Sequence, residues 1–139
     1  MSRFVLDASV ALAWFIDSPV PAYATQVRSS LLRGSRAVVP ALWHMEMANG
    51  FAVAKRRGIL TAGDAGQGIT HLEQLLAQAI ESTLEFVSMR QTLATALEFH
   101  LSAYDAVYLD TARREKLPLA TLDRRLLAAA KQAGVALFA

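Results

Sequence analysis

Short apolar runs alternate along this chain with longer stretches in which apolar residues recur every three or four positions. The short runs read as strands at Arg3–Leu6, Arg36–Val39, Thr83–Val87, Leu117–Thr121 and Val135–Phe138. The longer stretches read as helices with recognisable ends. Asp7-Ala8-Ser9 opens one through Ile16, stopped by Asp17-Ser18-Pro19, and another covers Ala22–Leu32 between Pro21 and Gly34. The clearest is Ala41–Arg57, with three bases (Lys55, Arg56 and Arg57) and then Gly58 at its C-terminus. Thr61-Ala62-Gly63-Asp64 has capping-box spacing and starts a helix to about Ile80. Met89–His100 is helical. Ser102-Ala103-Tyr104-Asp105 repeats the capping-box pattern ahead of a helix to about Lys116, and Asp123–Ala133 is the last helix. Strands alternating with helices predict an α/β fold: a three-layer sandwich with a mostly parallel central sheet flanked by helices. No repeat, linker or low-complexity segment divides the chain, so residues 1–139 are expected to form one domain.

Placed on that pattern, four acids fall near one edge. Asp7 directly follows the first predicted strand, and Asp123 follows the fourth. Asp105 lies in the first turn of a helix, and Glu46 about one turn into the helix after the second strand. In a parallel α/β sheet, strand C-termini and helix N-termini share an edge, and ligands bind there at the switch point. Each acid also has an ordinary use. Asp7 could be an N-cap, Asp105 the acid of its capping box, and Asp123 a helix-dipole partner. Glu46 has the least excuse, since Leu42, Met45, Met47, Ala48 and Phe51 surround it in sequence.

Four carboxylates gathered at one point repel each other unless cations intervene. Hard oxygen donors suit Mg²⁺ or Mn²⁺, and such an ion lowers the pKa of a water that attacks a phosphodiester in line. In this reading Asp7, Glu46 and Asp105 hold one ion, while Asp123 completes that site or holds a second. Ser9 and Thr121 stand two residues from Asp7 and Asp123 and can support them, or serve as ordinary helix caps. Asn49 lies one turn from Glu46 on the same helix face and can orient it. Arg124 and Arg125, beside Asp123, are candidate phosphate contacts, whereas Lys55–Arg57 reads as a solvated helix end. Asp110 falls off the Asp105 face and is expected to be solvated. His44, His71 and His100 have no metal-binding spacing and are expected to be structural or surface residues. Trp14, Phe15, Trp43, Met45 and Phe51 are expected in the core or a dimer contact.

Composition changes this picture modestly. Fourteen Lys and Arg against twelve Asp and Glu give +2. With four acids neutralised by metal, the fourteen bases face eight acids, a balance of +6 that favours a polyanionic substrate. There is no cysteine, which removes thiolate metal sites, disulfides and cysteine nucleophiles together. No Gly-rich phosphate loop, G-x-S-x-G or H-E-x-x-H offers a competing mechanism. An acid at position 7 interrupts what would be a signal-peptide core, so a cytoplasmic protein without a membrane span is expected. At 54% apolar, a chain this small is expected to bury surface against a partner.

The segments around the acids carry a resemblance. They are Val5-Leu6-Asp7-Ala8-Ser9-Val10, Pro40-Ala41-Leu42-Trp43-His44-Met45-Glu46-Met47-Ala48-Asn49, Ser102-Ala103-Tyr104-Asp105-Ala106-Val107-Tyr108-Leu109 and Leu119-Ala120-Thr121-Leu122-Asp123-Arg124-Arg125-Leu126. In order and spacing the chain resembles PIN-domain proteins, and most closely the VapC ribonuclease toxins of prokaryotic toxin–antitoxin pairs. The resemblance implies Mg²⁺- or Mn²⁺-dependent endonucleolytic cleavage of RNA, with Asp7, Glu46, Asp105 and Asp123 as the acidic cluster. It also implies a homodimer and a cognate antitoxin whose peptide lies in the active-site groove. Two other readings stay open: a non-catalytic PIN-like module that binds RNA or protein, and an aspartyl-phosphate phosphatase. The second wants another acid two residues after Asp7, where this chain has Ser9.

Overall fold

A computed structural model describes residues 2–139. Strands β1 (Arg3–Leu6), β2 (Arg36–Val39), β3 (Ile80–Ser82) and β4 (Leu119–Ala120) form one sheet in the order β3-β2-β1-β4. Every pairing is parallel: Phe4 stands opposite Ala37, Ala37 opposite Ile80, and Val5 opposite Leu119. The helices are α1 (Ala8–Ile16), α2 (Ala22–Leu32), α3 (Leu42–Arg56), α4 (Ala62–Gln78), α5 (Met89–Phe99), α6 (Ala103–Glu115) and α7 (Arg124–Gln132). This is the expected α/β sandwich with a parallel sheet between helices.

The central strands explain why both faces must be covered. Phe4, Val5 and Leu6 of β1 are wholly buried, and so are Ala37, Val38 and Val39 of β2, apart from a trace at Val38. Successive strand side chains point to opposite faces, so a continuous apolar run needs helices on each. Burying each large apolar side chain is worth about 1.5–3 kcal/mol. Helix α1 is apolar almost all round and lies within the core, with Val10 and Ala11 fully buried. Its close approach to α3 depends on Gly50, where an added Cβ would overlap the Leu12 side chain.

The sheet order places the functional edge. The chain runs outward from β1 to β2 and β3, then returns to lay β4 on the other side of β1. The switch point therefore lies between the carboxyl ends of β1 and β4, where crevices open in such sheets. The Asp7 N–H donates to the Ala120 carbonyl at 2.9 Å, continuing the β1–β4 ladder into the loops that carry the acids.

Two predicted strands require correction. The third was expected at Thr83–Val87, but the sheet uses Ile80–Ser82. The Thr83 N–H still donates to the Val39 carbonyl at 2.9 Å; the next residue along β2 facing that side is Ala41, whose backbone is already helical (φ −56°, ψ −35°), so the ladder stops there. Beyond that point Leu84 and Phe86 are 98% and 95% exposed. The last strand, expected at Val135–Phe138, reduces to a single parallel bridge between Leu119 and Leu137. Its neighbour β4 has only two residues and cannot support a longer ladder. The tail is instead held by Phe138, whose ring stacks on Phe4 at 3.9 Å and whose carbonyl accepts from the Tyr23 hydroxyl at 2.6 Å. Among the described residues no helix is long and apolar enough to cross a membrane.

Candidate active site

Asp7 directly follows β1 and occupies the N-cap position of α1, yet its side chain makes no cap hydrogen bond. It is 5% exposed, and its Oδ2 accepts two hydroxyl hydrogen bonds, from Ser9 at 2.6 Å and Thr121 at 2.8 Å. A hydroxyl has one proton to give, so each can only accept elsewhere. Ser9 Oγ accepts from the Leu122 N–H and Thr121 Oγ1 from the Asp123 N–H, both at 3.0 Å. The 3.5 Å approach of Ser9 Oγ to Thr121 Oγ1 has no proton left to bridge it. The loops after β1 and β4 are thus tied together through one carboxylate oxygen. Burial pushes the Asp7 carboxyl above the usual carboxylate range; the Ser9 and Thr121 hydroxyls pull it back, and the Asp123 charge pushes it up again.

The other three acids divide their oxygens in a related way. Asp123 is the N-cap of α7 and accepts from the Leu126 N–H on Oδ1 at 3.0 Å, leaving Oδ2 outside that bond. Glu46, half-buried on α3, takes the Tyr108 hydroxyl on Oε1 at 2.6 Å, leaving Oε2 outside it. Asp105 commits its backbone N–H, not its carboxylate, to the α6 cap: that N–H donates to Ser102 Oγ at 3.1 Å. The reciprocal bond from the Ser102 backbone to the Asp105 side chain, which a closed capping box would have, is not formed. Burial, then the charges of Asp7 and Asp123, push the Asp105 carboxyl up to about 6, with the Ser102 hydroxyl opposing. Glu46 is likewise raised, first by burial and then by repulsion from Asp7 and Asp105, while the Tyr108 hydrogen bond lowers it. All four acids therefore sit in one electrostatic neighbourhood, as the strand order anticipates.

That neighbourhood is not a closed metal cage. Among the described residues no three His, Asp or Glu side chains stand at the mutual distances of a ready-made ion site. The donor chemistry nonetheless suits a hard divalent cation. The available atoms are carboxylate and hydroxyl oxygens, and Mg²⁺ commonly takes only one or two carboxylates and keeps several waters. A cavity of about 270 Å³ lined by Pro40, Phe86, Gln91, Asp110 and Arg114 lies on a different face of α6, and none of the four acids lines it.

The surrounding residues confirm some expectations and correct others. Ser9 and Thr121 both contact Asp7 directly. Asn49 is exposed and makes no hydrogen bond to Glu46; the donor is Tyr108, which sequence reasoning missed. The signal was available, since Tyr108 lies three residues after Asp105 and so on its helix face. Asp110 is not a solvated acid: it is half-buried and accepts from Thr95 Oγ1 at 2.7 Å, joining α5 to α6. Met45 is 73% exposed, and the apolar setting expected for Glu46 is therefore partial. Arg124 and Arg125 are exposed at the start of α7, and Lys55, Arg56 and Arg57 are exposed at the end of α3. His44 bonds Ser82 at 2.7 Å, His71 meets Arg28 at 2.9 Å, and His100 ends α5 in the left-handed conformation (φ 57°).

The PIN domain family profile matches residues 4–132, and the chain belongs to that family. No curated protein matches it in sequence. Among solved structures it is similar to PAE2754 from Pyrobaculum aerophilum, with a TM-score of 0.69 and 22% identity over 92% of this chain and 79% of that one. It is also similar to FitAcB from Neisseria gonorrhoeae, with a TM-score of 0.65 and 20% identity over 98% and 96% of the two chains. A toxin–antitoxin complex from Klebsiella pneumoniae gives a TM-score of 0.60 and 19% identity, covering 90% of each chain. At these identities the likeness is one of fold.

Proposed function

We propose that this PIN-domain protein is a Mg²⁺- or Mn²⁺-dependent endoribonuclease acting as the toxin of a toxin–antitoxin pair. The observation that carries the reading is the division of labour among four carboxylates at the sheet's switch point. Asp7, Asp123 and Glu46 each give one oxygen to the protein and keep the other out of those bonds, and Asp105 declines its cap. An Asp105 kept only for folding would close its capping box, as Asp64 does. When bound there, a divalent cation would lower the pKa of a nearby water and offset charge developing on the phosphodiester.

The chain's own residues set up that chemistry. Ser9 and Thr121 lock the Asp7 carboxylate, so its free oxygen has a fixed direction. Asp123, anchored as the α7 cap, presents its second oxygen from the adjoining loop. Asp105 and Glu46 enter from α6 and α3. Arg124 and Arg125, exposed beside Asp123, would meet the RNA phosphates in this reading.

Two partners belong to this reading. The exposed Met89, Leu93 and Leu97 form an i, i+4, i+8 stripe on α5, and Leu84 and Phe86 in the segment before it are exposed too. That stripe supports a homodimer, because an isolated monomer rarely leaves such a patch in water. The likeness to the Klebsiella pneumoniae toxin–antitoxin complex supports a cognate antitoxin.

The test is cleavage of a mixed RNA pool by purified protein with Mn²⁺, with EDTA, and as the Asp7→Asn variant. Mn²⁺-dependent cleavage lost in both controls is expected. Cleavage that survives EDTA or Asp7→Asn overturns the reading, and RNA binding without turnover identifies a non-catalytic module instead.

A further inference from the structure

Glu46 is the acid with the longest side chain and no backbone anchor. A glutamate on a helix has three rotatable bonds, and its terminal carboxylate rotates broadly. Asp7 and Asp123 have shorter side chains tied by hydroxyls or a helix cap. On Glu46 the one hydrogen bond comes from Tyr108, at 2.6 Å onto Oε1. The Tyr108 ring is wholly buried, so the donor cannot swing away. Its hydroxyl is the polar tip of a core side chain, and no other acceptor is bonded to it.

We propose that Tyr108 is a positioning residue that holds Glu46 in the orientation required for divalent-cation binding; this inference rests on the reading of the acids as a cation site. A short hydrogen bond from an immobile donor restrains the carboxylate through Oε1 and leaves Oε2 outside that bond. Tyr108 also stands one helical turn after Asp105. Helix α6 therefore carries one acid of the site and the donor that aims another, coupling α3 to α6 across the crevice. Asn49, on Glu46's own helix, lies exposed and does not share the task.

The consequence is measurable without turnover. Replacing Tyr108 by Phe keeps the buried ring and deletes only the hydroxyl. Partners of this kind are typically worth on the order of 10- to 100-fold in metal affinity. Titration of metal-free protein with Mn²⁺ should thus show about tenfold weaker binding by Tyr108→Phe, with far-ultraviolet circular dichroism unchanged. In a Glu46→Gln background, where no charged carboxylate remains to be aimed, adding Tyr108→Phe should weaken binding no further. A purely structural hydroxyl would instead lower Mn²⁺ affinity equally in both backgrounds, and that result overturns the inference. Wild-type affinity in Tyr108→Phe overturns it too while leaving the cation site standing. If the wild-type protein binds no Mn²⁺, the cation site fails and this inference fails with it. Should Tyr108→Phe fold poorly, para-fluorophenylalanine in place of Tyr108 tests the same point: it fills the place of the buried hydroxyl but has no proton to donate, and affinity equal to wild type would reject the role.

Discussion

Helices α4 and α6 begin with the same pattern, a hydroxyl residue followed three positions later by aspartate, and the two aspartates are used differently. At α4 the box closes: the Asp64 N–H donates to Thr61 Oγ1 at 3.0 Å, and the Thr61 N–H returns to Asp64 Oδ2 at 3.2 Å. At α6 the first bond forms between the Asp105 N–H and Ser102, and the second does not. Asp64 lies exposed, whereas Asp105 is half-buried beside Asp7 and Asp123, and its carboxyl is pushed up to about 6. A closed box satisfies a helix start; an open one leaves a charge where burial and like charges disfavour it. Local motif and local spacing do not separate the two cases. Position relative to the β1–β4 switch point does.

The largest effect expected from this contrast is on catalysis. Asp105→Asn should lower Mn²⁺-dependent RNA cleavage by at least about a hundredfold, the scale of losing one preorganised electrostatic group. The same variant should melt no lower than wild type in EDTA, because it removes a disfavoured charge. Cleavage within threefold of wild type would place Asp105 with Asp64 as an ordinary cap. Next in size is Thr121→Val, which removes one of two hydroxyls from Asp7 and frees the Asp123 N–H. It should weaken Mn²⁺ binding about tenfold; an unchanged titration would show that Ser9 alone suffices.

The pH dependence of stability is a smaller effect with a definite sign. The folded Asp105 carboxyl titrates near 6 against 3.8 for its ordinary value. The folded state thus holds this proton more tightly than the unfolded state does. The associated stability is complete below 3.8 and is lost as the pH rises through about 6. Between pH 5 and 7.5, metal-free protein should lose on the order of 1 kcal/mol through this group, after discounting for its partial contact with solvent. The loss should shrink in Asp105→Asn and on adding Mg²⁺, which takes the proton's place in screening the acids. Denaturant melts that show the same pH slope in wild type and Asp105→Asn would contradict this. Last comes the ordinary helix start, where Thr61→Ala should cost about 1 kcal/mol in stability and leave cleavage unchanged. A cleavage defect in Thr61→Ala that outlasts correction for unfolded protein would erase the distinction between the two helices.

Most of the fold was legible because its signals are local. The apolar run Phe4-Val5-Leu6 read as a buried strand, and the helix-period stretches, prolines and capping hydroxyls marked the helices to within a residue or two. The misplaced third strand shows the limit. Leu84 and Phe86 look like strand residues by themselves, but β2 turns into α3 at Ala41 and the ladder ends before them, and that pairing is a property of two distant segments. The candidate site divides along the same line. Asp7, Glu46, Asp105 and Asp123 could be singled out from their positions after strands and at helix starts. Tyr108 was passed over and Asp110 misjudged because one partner of each bond lies on another helix: Glu46 on α3, and Thr95 on α5.

What the sequence by itself determined, then, is which acids stand at element ends and which residue types could support them. A strand terminus and a helix cap are written in a few adjacent residues. What only the tertiary structure decided is which carboxylate oxygen each acid keeps free. That depends on hydroxyls and N–H groups brought up from loops and helices far away in the chain, within a crevice that exists only once β4 has returned to lie beside β1.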